Sequence, residues 1–289
     1  METPIWTVII SFVTSLVTLI VTISTKNWIQ KRFLIFKLRK EHEYEQRKAI
    51  KNVLSKYKVP FINSAEFLNH RLWNLSKNYS REWHNVNGQY DYEGYYYQST
   101  IYRILRHFAW IKIIQNKLIF LDTTIATKED LFFVKYLNYF PQLFQDTDLF
   151  DGLDYDTNHS KDHIYRDVFE ELYSNLIKDE NVISYTDFKE IFATDYVRFL
   201  PICRFIDNIN PEEDRLRWDL IHCFHLTLIS FLTSYGYDYQ QTTRQQISSY
   251  LKIHRKCKIY DNYMKLIQRN KLEDEVSIKL LIKELNNLC

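Results

Sequence analysis

The chain has 289 residues, 46% of them apolar, which suffices for one medium-sized domain or two small ones and disfavours a disordered protein. Its four glycines and five prolines, beside 22 tyrosines and 19 phenylalanines, exclude collagen-like, linker-rich and turn-dense all-β classes. So few glycines leave no place for a phosphate-binding GxxxxGK(S/T) or GxGxxG loop, and the formal net charge is only +2.

Charge divides the sequence into a neutral apolar head, a basic neck and an acidic body. Residues 26–58 contain eleven Lys and Arg against three Glu, whereas acidic residues outnumber basic ones by nine between 59 and 236. This order is typical of a membrane-anchored protein with its body in the cytoplasm. The predicted fold is all-α and oligomeric. Its segments are a transmembrane helix (1–25), a basic juxtamembrane helix (26–59), a cytoplasmic all-helical domain (60–240) and a C-terminal helical tail (241–289).

The apolar head is predicted to be a permanent membrane span. Residues 5–24 contain no charge, glycine or proline, and twenty helical residues match the roughly 30 Å hydrocarbon core of a bilayer. Glu2 precedes this segment and Lys26 follows it, which is the reverse of the pattern in a cleaved signal peptide. The basic residues behind the span place the N-terminus outside and the body in the cytoplasm. Four cysteines then lie in a reducing compartment, without disulfide spacing: Cys203, Cys223, Cys257 and Cys289.

The hydroxyl side chains of this segment follow one helical face. At about 100° per residue, seven of the eight Ser and Thr residues between 7 and 25 fall within an arc of about 100°, opposite Val, Ile and Leu. Such a face either packs helix against helix or, with several copies assembled, lines a narrow polar path. Both interpretations require self-association or a partner span. The predicted pore-lining or oligomer face consists of Thr7, Ser11, Thr14, Thr18 and Thr22.

The neck is predicted to continue the same helix, because no glycine or proline occurs between Pro4 and Pro60. Aromatic residues alternate with cations in its basic part, WIQKRFLIFKLRK. This part either lies against anionic lipid headgroups or forms a collar that binds an anionic ligand such as an oligonucleotide. The residues predicted to make these contacts are Lys31, Arg32, Lys37, Arg39 and Lys40.

Helix start signals divide the body into a series of helices, with two amphipathic helices expected after 241. The segment STIYRILRHFAWIKIIQNKLIFL is apolar nearly all round and is predicted to be the central buried helix, with Arg103 and Arg106 paired to carboxylates. Residues 220–235 are also apolar, but their length of sixteen and their two histidines favour a core helix over a second span. The predicted starts are Asn63, Ser99, Thr127, Thr186 and Asn210.

The richest polar segment, residues 146–163, contains six Asp and two His. It fits neither an EF-hand calcium loop nor the HExxH zinc motif, although His159 and His163 have the i, i+4 spacing of zinc ligands. Capping and turn formation explain it better than a metal site. His222, His225 and His254 are predicted to be buried, neutral histidines of a helical core. No catalytic motif is present, so we predict no enzymatic activity, no cofactor and no metal.

Five segments together resemble a family of bacterial proteins, mostly of unassigned function, with one N-terminal span and a helical cytoplasmic body. They are FKLRKEHEYEQRKAIK, EFLNHRLWNL, GYYYQSTIYRILRHFAWIKII, LFDGLDYD and RWDLIHCFHLTLISFLTSYGYD, within about residues 30–240. In layout the chain is also similar to the channel subunit of Hailong-type antiphage defence systems. That resemblance is one of architecture, so no ligand-binding position transfers from it. It implies a tetramer in the bacterial inner membrane, held inactive by the nucleic-acid product of a partner nucleotidyltransferase and depolarising the cell when released.

Three functions remain open from the sequence. The first is an oligomeric, gated ion channel controlled by an intracellular signal that binds the cytoplasmic side. The second is a membrane-tethered interaction or scaffold module without a pore, in which the hydroxyl face only dimerises. The third is a membrane-tethered enzyme that uses Asp and His side chains of residues 146–163.

Overall fold

The computed structural model describes residues 3–119, 121–122, 125–254 and 256–287. The chain is 74% helical, and the one sheet in these ranges is a two-residue antiparallel pair, β1 (Ile177–Lys178) and β2 (Asn181–Val182). The predicted all-α class is therefore confirmed. The chain forms two compact units, Met1–Ile50 and Lys51–Cys289. Glu2 and Cys289, which entered the predictions above, lie outside the described residues.

The first helix, α1, spans Thr3–Asn78 and continues through Pro60. This corrects the prediction of a new helix start at Asn63. A proline inside a helix costs about 3 kcal/mol, because its N–H is missing and its ring crowds the preceding turn. Burial of neighbouring side chains in the second unit outweighs this cost. The buried residues recur at helical spacing: Leu54, Tyr57, Phe61, Ala65, Leu68 and Leu72.

Two buried helices organise the second unit, α2 (Tyr95–Leu118) and α7 (Arg217–Tyr235). The helices α3 (Lys128–Gln145) and α10 (Val276–Asn286) contact α7, while α4 (Arg166–Ser174) and α5 (Tyr185–Thr194) contact α2. The predicted central helix is thus confirmed, and α7 is a core helix rather than a second span. Aromatic rings fill the interior, among them Phe61, Phe108, Phe133, Phe140, Phe144, Phe224 and Phe231.

Side-chain caps mark the start of four of the nine α-helices described after α1, at Thr127, Ser184, Thr243 and Glu275. The start predicted at Ser99 is wrong, because α2 already begins at Tyr95. Thr127 caps α3 as predicted, since its hydroxyl accepts a hydrogen bond from the Asp130 N–H at 3.1 Å. The helix α5 begins at Tyr185, one residue before the predicted cap, because Ser184 and Asp187 form a reciprocal capping box. The start predicted at Asn210 is wrong: the Asn210 side chain accepts from the Glu212 N–H in a turn, and α7 begins only at Arg217.

The tail after 241 forms three helices instead of the predicted two. The chain leaves the helical conformation after Ile253 and again near Lys271, whose φ is 53°. The last of the three, α10, packs against α7, so the tail belongs to the core of the second unit. The helices not yet given are α6 (Leu200–Ile206), α8 (Arg244–Ile253) and α9 (Tyr260–Arg269).

Candidate functional site

The apolar segment of α1 is exposed along its whole length. Its large side chains keep between 46% of their surface, at Ile9, and 69%, at Val8, accessible. Exposed apolar surface on this scale is normally covered by lipid or by another protein chain. One helix in the described ranges, this one, is long and apolar enough to cross a membrane.

The predicted hydroxyl face lies on this exposed segment, and its hydroxyl groups bond to the helix backbone. Thr14 Oγ1 donates to the Ile10 carbonyl at 2.7 Å, and Thr18 Oγ1 donates to the Thr14 carbonyl at 2.8 Å. Thr22 Oγ1 repeats the pattern with Thr18 at 2.7 Å. Because the hydroxyl hydrogens of Thr14, Thr18 and Thr22 are used inside the helix, these three residues present oxygen lone pairs and methyl groups on the outer surface.

The predicted basic residues surround α1 rather than follow one stripe. At about 100° per residue, Lys31, Arg32, Lys37, Arg39 and Lys40 project around most of the helix circumference, and all five are exposed. Lys37 approaches Glu41 at 3.8 Å and Lys40 approaches Glu43 at 2.8 Å, while the Arg32 guanidinium lies 5.1 Å from the centre of the Trp28 ring. Solvent screens exposed pairs of this kind, so they contribute little to stability and leave the cations accessible to anions.

The acidic segment 146–163 uses its carboxylates in turns and ion pairs. Asp162 accepts from Arg215 Nε at 2.6 Å and from the Leu216 N–H at 3.0 Å, and Asp146 pairs with Arg269. Asp156 accepts from the Asn158 N–H at 2.9 Å. These contacts match the capping and turn interpretation. Among the described residues, no group of three or more His, Cys, Asp or Glu is placed to hold a metal ion.

The two histidines of the segment 146–163 differ in burial and in hydrogen-bond partner. His163 is buried and its Nδ1 lies 2.6 Å from the Tyr155 hydroxyl, whereas His159 is exposed and its Nδ1 lies 2.6 Å from an Asp156 carboxylate oxygen. Burial lowers the pKa of His163 below its usual range. The i, i+4 spacing therefore does not bring the two imidazoles into one common environment.

A buried polar network between α7, α8 and α9 contains His222, His225 and His254. His225 contacts the Tyr250 hydroxyl through Nδ1 at 2.8 Å and the Asn69 Oδ1 through Nε2 at 2.9 Å. The His222 and His254 rings stack with centres 4.0 Å apart. Burial lowers the pKa of His254 to about 4 and holds the pKa of His222 and His225 well below the usual range. These are the neutral core histidines that the sequence predicts.

The carboxylate pairings predicted for Arg103 and Arg106 are wrong. No carboxylate of the described ranges forms an ion pair with Arg103 or Arg106; instead Arg103 Nη1 donates to the Phe67 carbonyl at 2.8 Å. The guanidinium carbons of Arg103 and Arg106 lie 6.0 and 5.6 Å from the centre of the Phe67 ring. The prediction was wrong because both side chains lie over the Phe67 ring of α1. Helical periodicity within α2 does not reveal which residue of another helix lies opposite.

Sequence reasoning missed a third arginine beside these two. Arg71 of α1 is only 4% exposed and lies against the first turn of α2, with its Nη2 donating to Ser99 Oγ at 2.8 Å. Its guanidinium carbon is 4.2 Å from the centre of the Tyr96 ring and 5.4 Å from that of Tyr95. Burial lowers the pKa of Arg71, and the positive charge of Arg103 lowers it further. The run of tyrosines at 95–97 was the one sequence signal of this aromatic surround.

Comparison with known proteins returns no relative: no family model, no curated protein and no solved structure matches this chain.

Proposed function

We propose that the chain is a single-span protein of the bacterial inner membrane whose copies assemble around an ion path. The observation that carries the proposal is the exposed, uncharged segment of α1 with all but one of its hydroxyl groups on one face. An apolar rod of this length is stable only in lipid or against other chains. Its hydroxyl face would be the side turned toward the other copies and the path: Thr7, Ser11, Thr14, Thr18 and Thr22.

Self-association follows from the chemistry of this face. The hydroxyl groups of Thr14, Thr18 and Thr22 already donate their hydrogens to the helix backbone, so their lone pairs gain nothing from acyl chains. Placed around a common axis, the same lone pairs meet water and ions. A tetramer is the copy number that the architectural resemblance implies.

Orientation is proposed from the positive charge behind the span. The excess of Lys and Arg in residues 26–58 favours retention of this segment in the cytoplasm, which leaves the N-terminus outside. The second unit then senses an intracellular signal and controls the path. The cations around the helix at residues 31–40 are suited to lipid headgroups, and in an assembled collar to an oligonucleotide.

The biological setting is part of the same proposal. A channel that opens when an inhibitory intracellular ligand is released fits an effector of antiphage defence that depolarises the infected cell. Its partner would be a nucleotidyltransferase whose nucleic-acid product holds it closed. This setting rests on the resemblance in layout alone.

A second candidate is a membrane-tethered interaction module without a pore. The hydrogen bonds of Thr14, Thr18 and Thr22 to their own helix favour it, because satisfied hydroxyls tolerate a plain helix–helix interface. The third candidate, an enzyme using residues 146–163, has less support, since the Asp146, Asp156 and Asp162 carboxylates are engaged in turns and ion pairs.

Conductance of the purified full-length chain in planar bilayers tests the proposal. We expect ion currents from the wild type without added ligand, and their loss in the double variant Thr14→Leu, Thr18→Leu, because leucine replaces lone pairs with apolar bulk. The matched control is Ile9→Leu, Val13→Leu, which places two leucines four residues apart on the opposite face and should conduct like the wild type.

The assembly is measured alongside. A mass determination in detergent should give an oligomer for the wild type. A monomer, or wild-type currents from the Thr14→Leu, Thr18→Leu variant, would contradict the proposal. An oligomer that carries no current would favour the tether instead.

A further inference from the structure

We propose that Arg71, Arg103 and Arg106 form a binding site for the phosphate group of a small ligand, between α1 and the first turns of α2. This site lies in the second unit and is distinct from the basic residues at 31–40. It does not depend on the chain being a channel, because phosphate binding and ion conduction are measured separately.

Arg71 supplies the first observation. A buried guanidinium normally pairs with a carboxylate, because removing a charge from water without compensation is costly. Arg71 has none: Nη2 bonds to the neutral Ser99 hydroxyl, and Nη1 is buried without a hydrogen-bond partner. The Nη1 donors of its fork are therefore enclosed without an acceptor among the described residues.

The second observation is that like charges gather at this point. Arg103 is close enough for its charge to act on Arg71, and both charges also act on the Tyr185 phenol. Arg106 shares the Phe67 ring with Arg103. No carboxylate in the described ranges pairs with any of the three, although acidic residues outnumber basic ones in this part of the chain. A bound anion would relieve this repulsion.

The number and type of cations point to phosphate. Arginine forks match the oxygens of phosphate two at a time, and three of them balance the charge of about −1.5 to −2 on a phosphate monoester better than that of a single carboxylate. The helix N-terminus adds to the same field: Gly94, the N-cap of α2, provides no side-chain cap for the first turn.

A groove that shares the Tyr95 ring with Arg71 offers room for the rest of the ligand, while the three arginines themselves lie outside its lining. It has a volume of about 370 Å³ and is lined by Tyr95 and Tyr185, whose rings contact each other. Gln98 and Thr186 add uncharged polar groups. Glu93, Glu190 and Lys189 leave the lining with one net negative charge, which disfavours a second anionic group. The ligand class is thus a phosphate monoester with an uncharged organic part.

The test measures binding to the full-length protein in nanodiscs of zwitterionic lipid, by thermal shift and by calorimetric titration. The probes are inorganic phosphate, adenosine 5′-monophosphate and soluble dihexanoyl phosphatidylglycerol, which separate a free phosphate, a soluble ester and a lipid headgroup. We expect saturable stabilisation that weakens with salt, and at least about tenfold weaker binding in Arg103→Gln and in Arg106→Gln.

Two further variants keep the test decisive. Arg166→Gln removes an exposed arginine at the start of α4 and should bind as the wild type does. Arg71→Lys keeps a cation at the buried position but removes the fork, and we expect weakened binding without unfolding. Whichever phosphate probe binds best identifies the source of the group. The site is refuted if no probe shifts the melting temperature, or if both Gln variants of the cluster bind like the wild type.

The outcome is separable from that of the conductance experiment. The Thr14→Leu, Thr18→Leu variant leaves the arginine cluster intact, so it should bind the phosphate probe with wild-type affinity even where it carries no current. Loss of phosphate binding in that variant would contradict the independence claimed here.

Discussion

His107 lies at the centre of the aromatic core and remains an uncharged, incompletely satisfied group. Its ring stacks on Phe61 with centres 4.8 Å apart and meets Phe140 edge-on at 4.9 Å. Its Nδ1 is 3.4 Å from Ser64 Oγ, and its Nε2 is buried without a hydrogen-bond partner. Complete burial lowers the pKa of His107 to about 3. An imidazole at this position makes folding sensitive to acid.

The first prediction concerns this acid sensitivity. The unfolded His107 takes up a proton near pH 6.5 while the folded one does not until about pH 3, so its contribution to stability is lost as the pH falls through that window. His107→Phe should flatten the pH dependence of the free energy of unfolding by up to about 1.4 kcal/mol per pH unit between pH 6 and 4. Urea unfolding at several pH values measures this.

Phe140, which contacts the His107 ring edge-on, provides the comparison. Phe140→Leu disturbs the same core without removing a titratable group, so it should lower the free energy of unfolding by a similar amount at every pH. Parallel profiles for His107→Phe and the wild type would show that His107 is not the buried, neutral group described here.

At the scale of elements, α1 shows how packing overrides a local rule. Pro60 lacks the N–H that would bond to the Lys56 carbonyl one turn earlier, yet the helix continues to Asn78. Phe61, Ala65 and Leu68 beyond it are all completely buried. Ending the helix at the proline would displace these side chains, whose burial is worth about 1.5–3 kcal/mol for each of the two larger ones.

The second prediction follows from this balance. Pro60→Ala restores the missing backbone donor without changing the buried face, so the free energy of unfolding should rise by about 1–3 kcal/mol. Ala65→Pro places the same defect one turn later, at a completely buried position, and should cost at least about 3 kcal/mol. Urea titration followed by circular dichroism measures both. Destabilisation by Pro60→Ala would mean that the packing requires the bend that proline imposes.

At the scale of the whole molecule, charge and hydropathy are distributed in sequence order. An uncharged segment is followed by a strongly basic one, and an acidic body follows both. The chain forms two compact units, and the division between Ile50 and Lys51 falls within the basic segment. In a bilayer such an arrangement favours one direction of insertion, because cations near the end of a span resist translocation.

The third prediction tests that direction. Proteolysis of a C-terminal tag in intact spheroplasts should be blocked for the wild type, because the proposed orientation places the body inside. Glutamine at Lys31, Arg32, Lys37, Arg39 and Lys40 removes five charges close to the span and should expose a fraction of the tags. The control neutralises five cations far from the span: Lys252, Lys256, Lys265, Lys271 and Lys279. Equal protection of the tag in all three proteins would show that the basic neck does not orient the protein.

Much of the fold was predictable because its signals are local. Scarcity of glycine and proline and the run of apolar residues from Ser99 onward predicted an all-α chain with α2 buried. The Thr127 cap and the turn at Asp156 were predictable because each hydrogen bond joins residues no more than three apart in the chain. Errors arose where capping patterns were mistaken for helix starts, at Asn63 and Asn210, because the same side chains also serve inside helices and in turns.

The sequence by itself determined that residues 5–24 form an apolar rod with one hydroxyl face, since composition and helical periodicity act within a single turn. Tertiary structure alone decided which distant side chains meet: Arg71 with the first turn of α2, Arg103 with Phe67, and the histidines of α7 with residues of α8 and α9. The physical reason is that these partners are far apart in the chain. Their meeting depends on how buried helices pack, which no local pattern specifies.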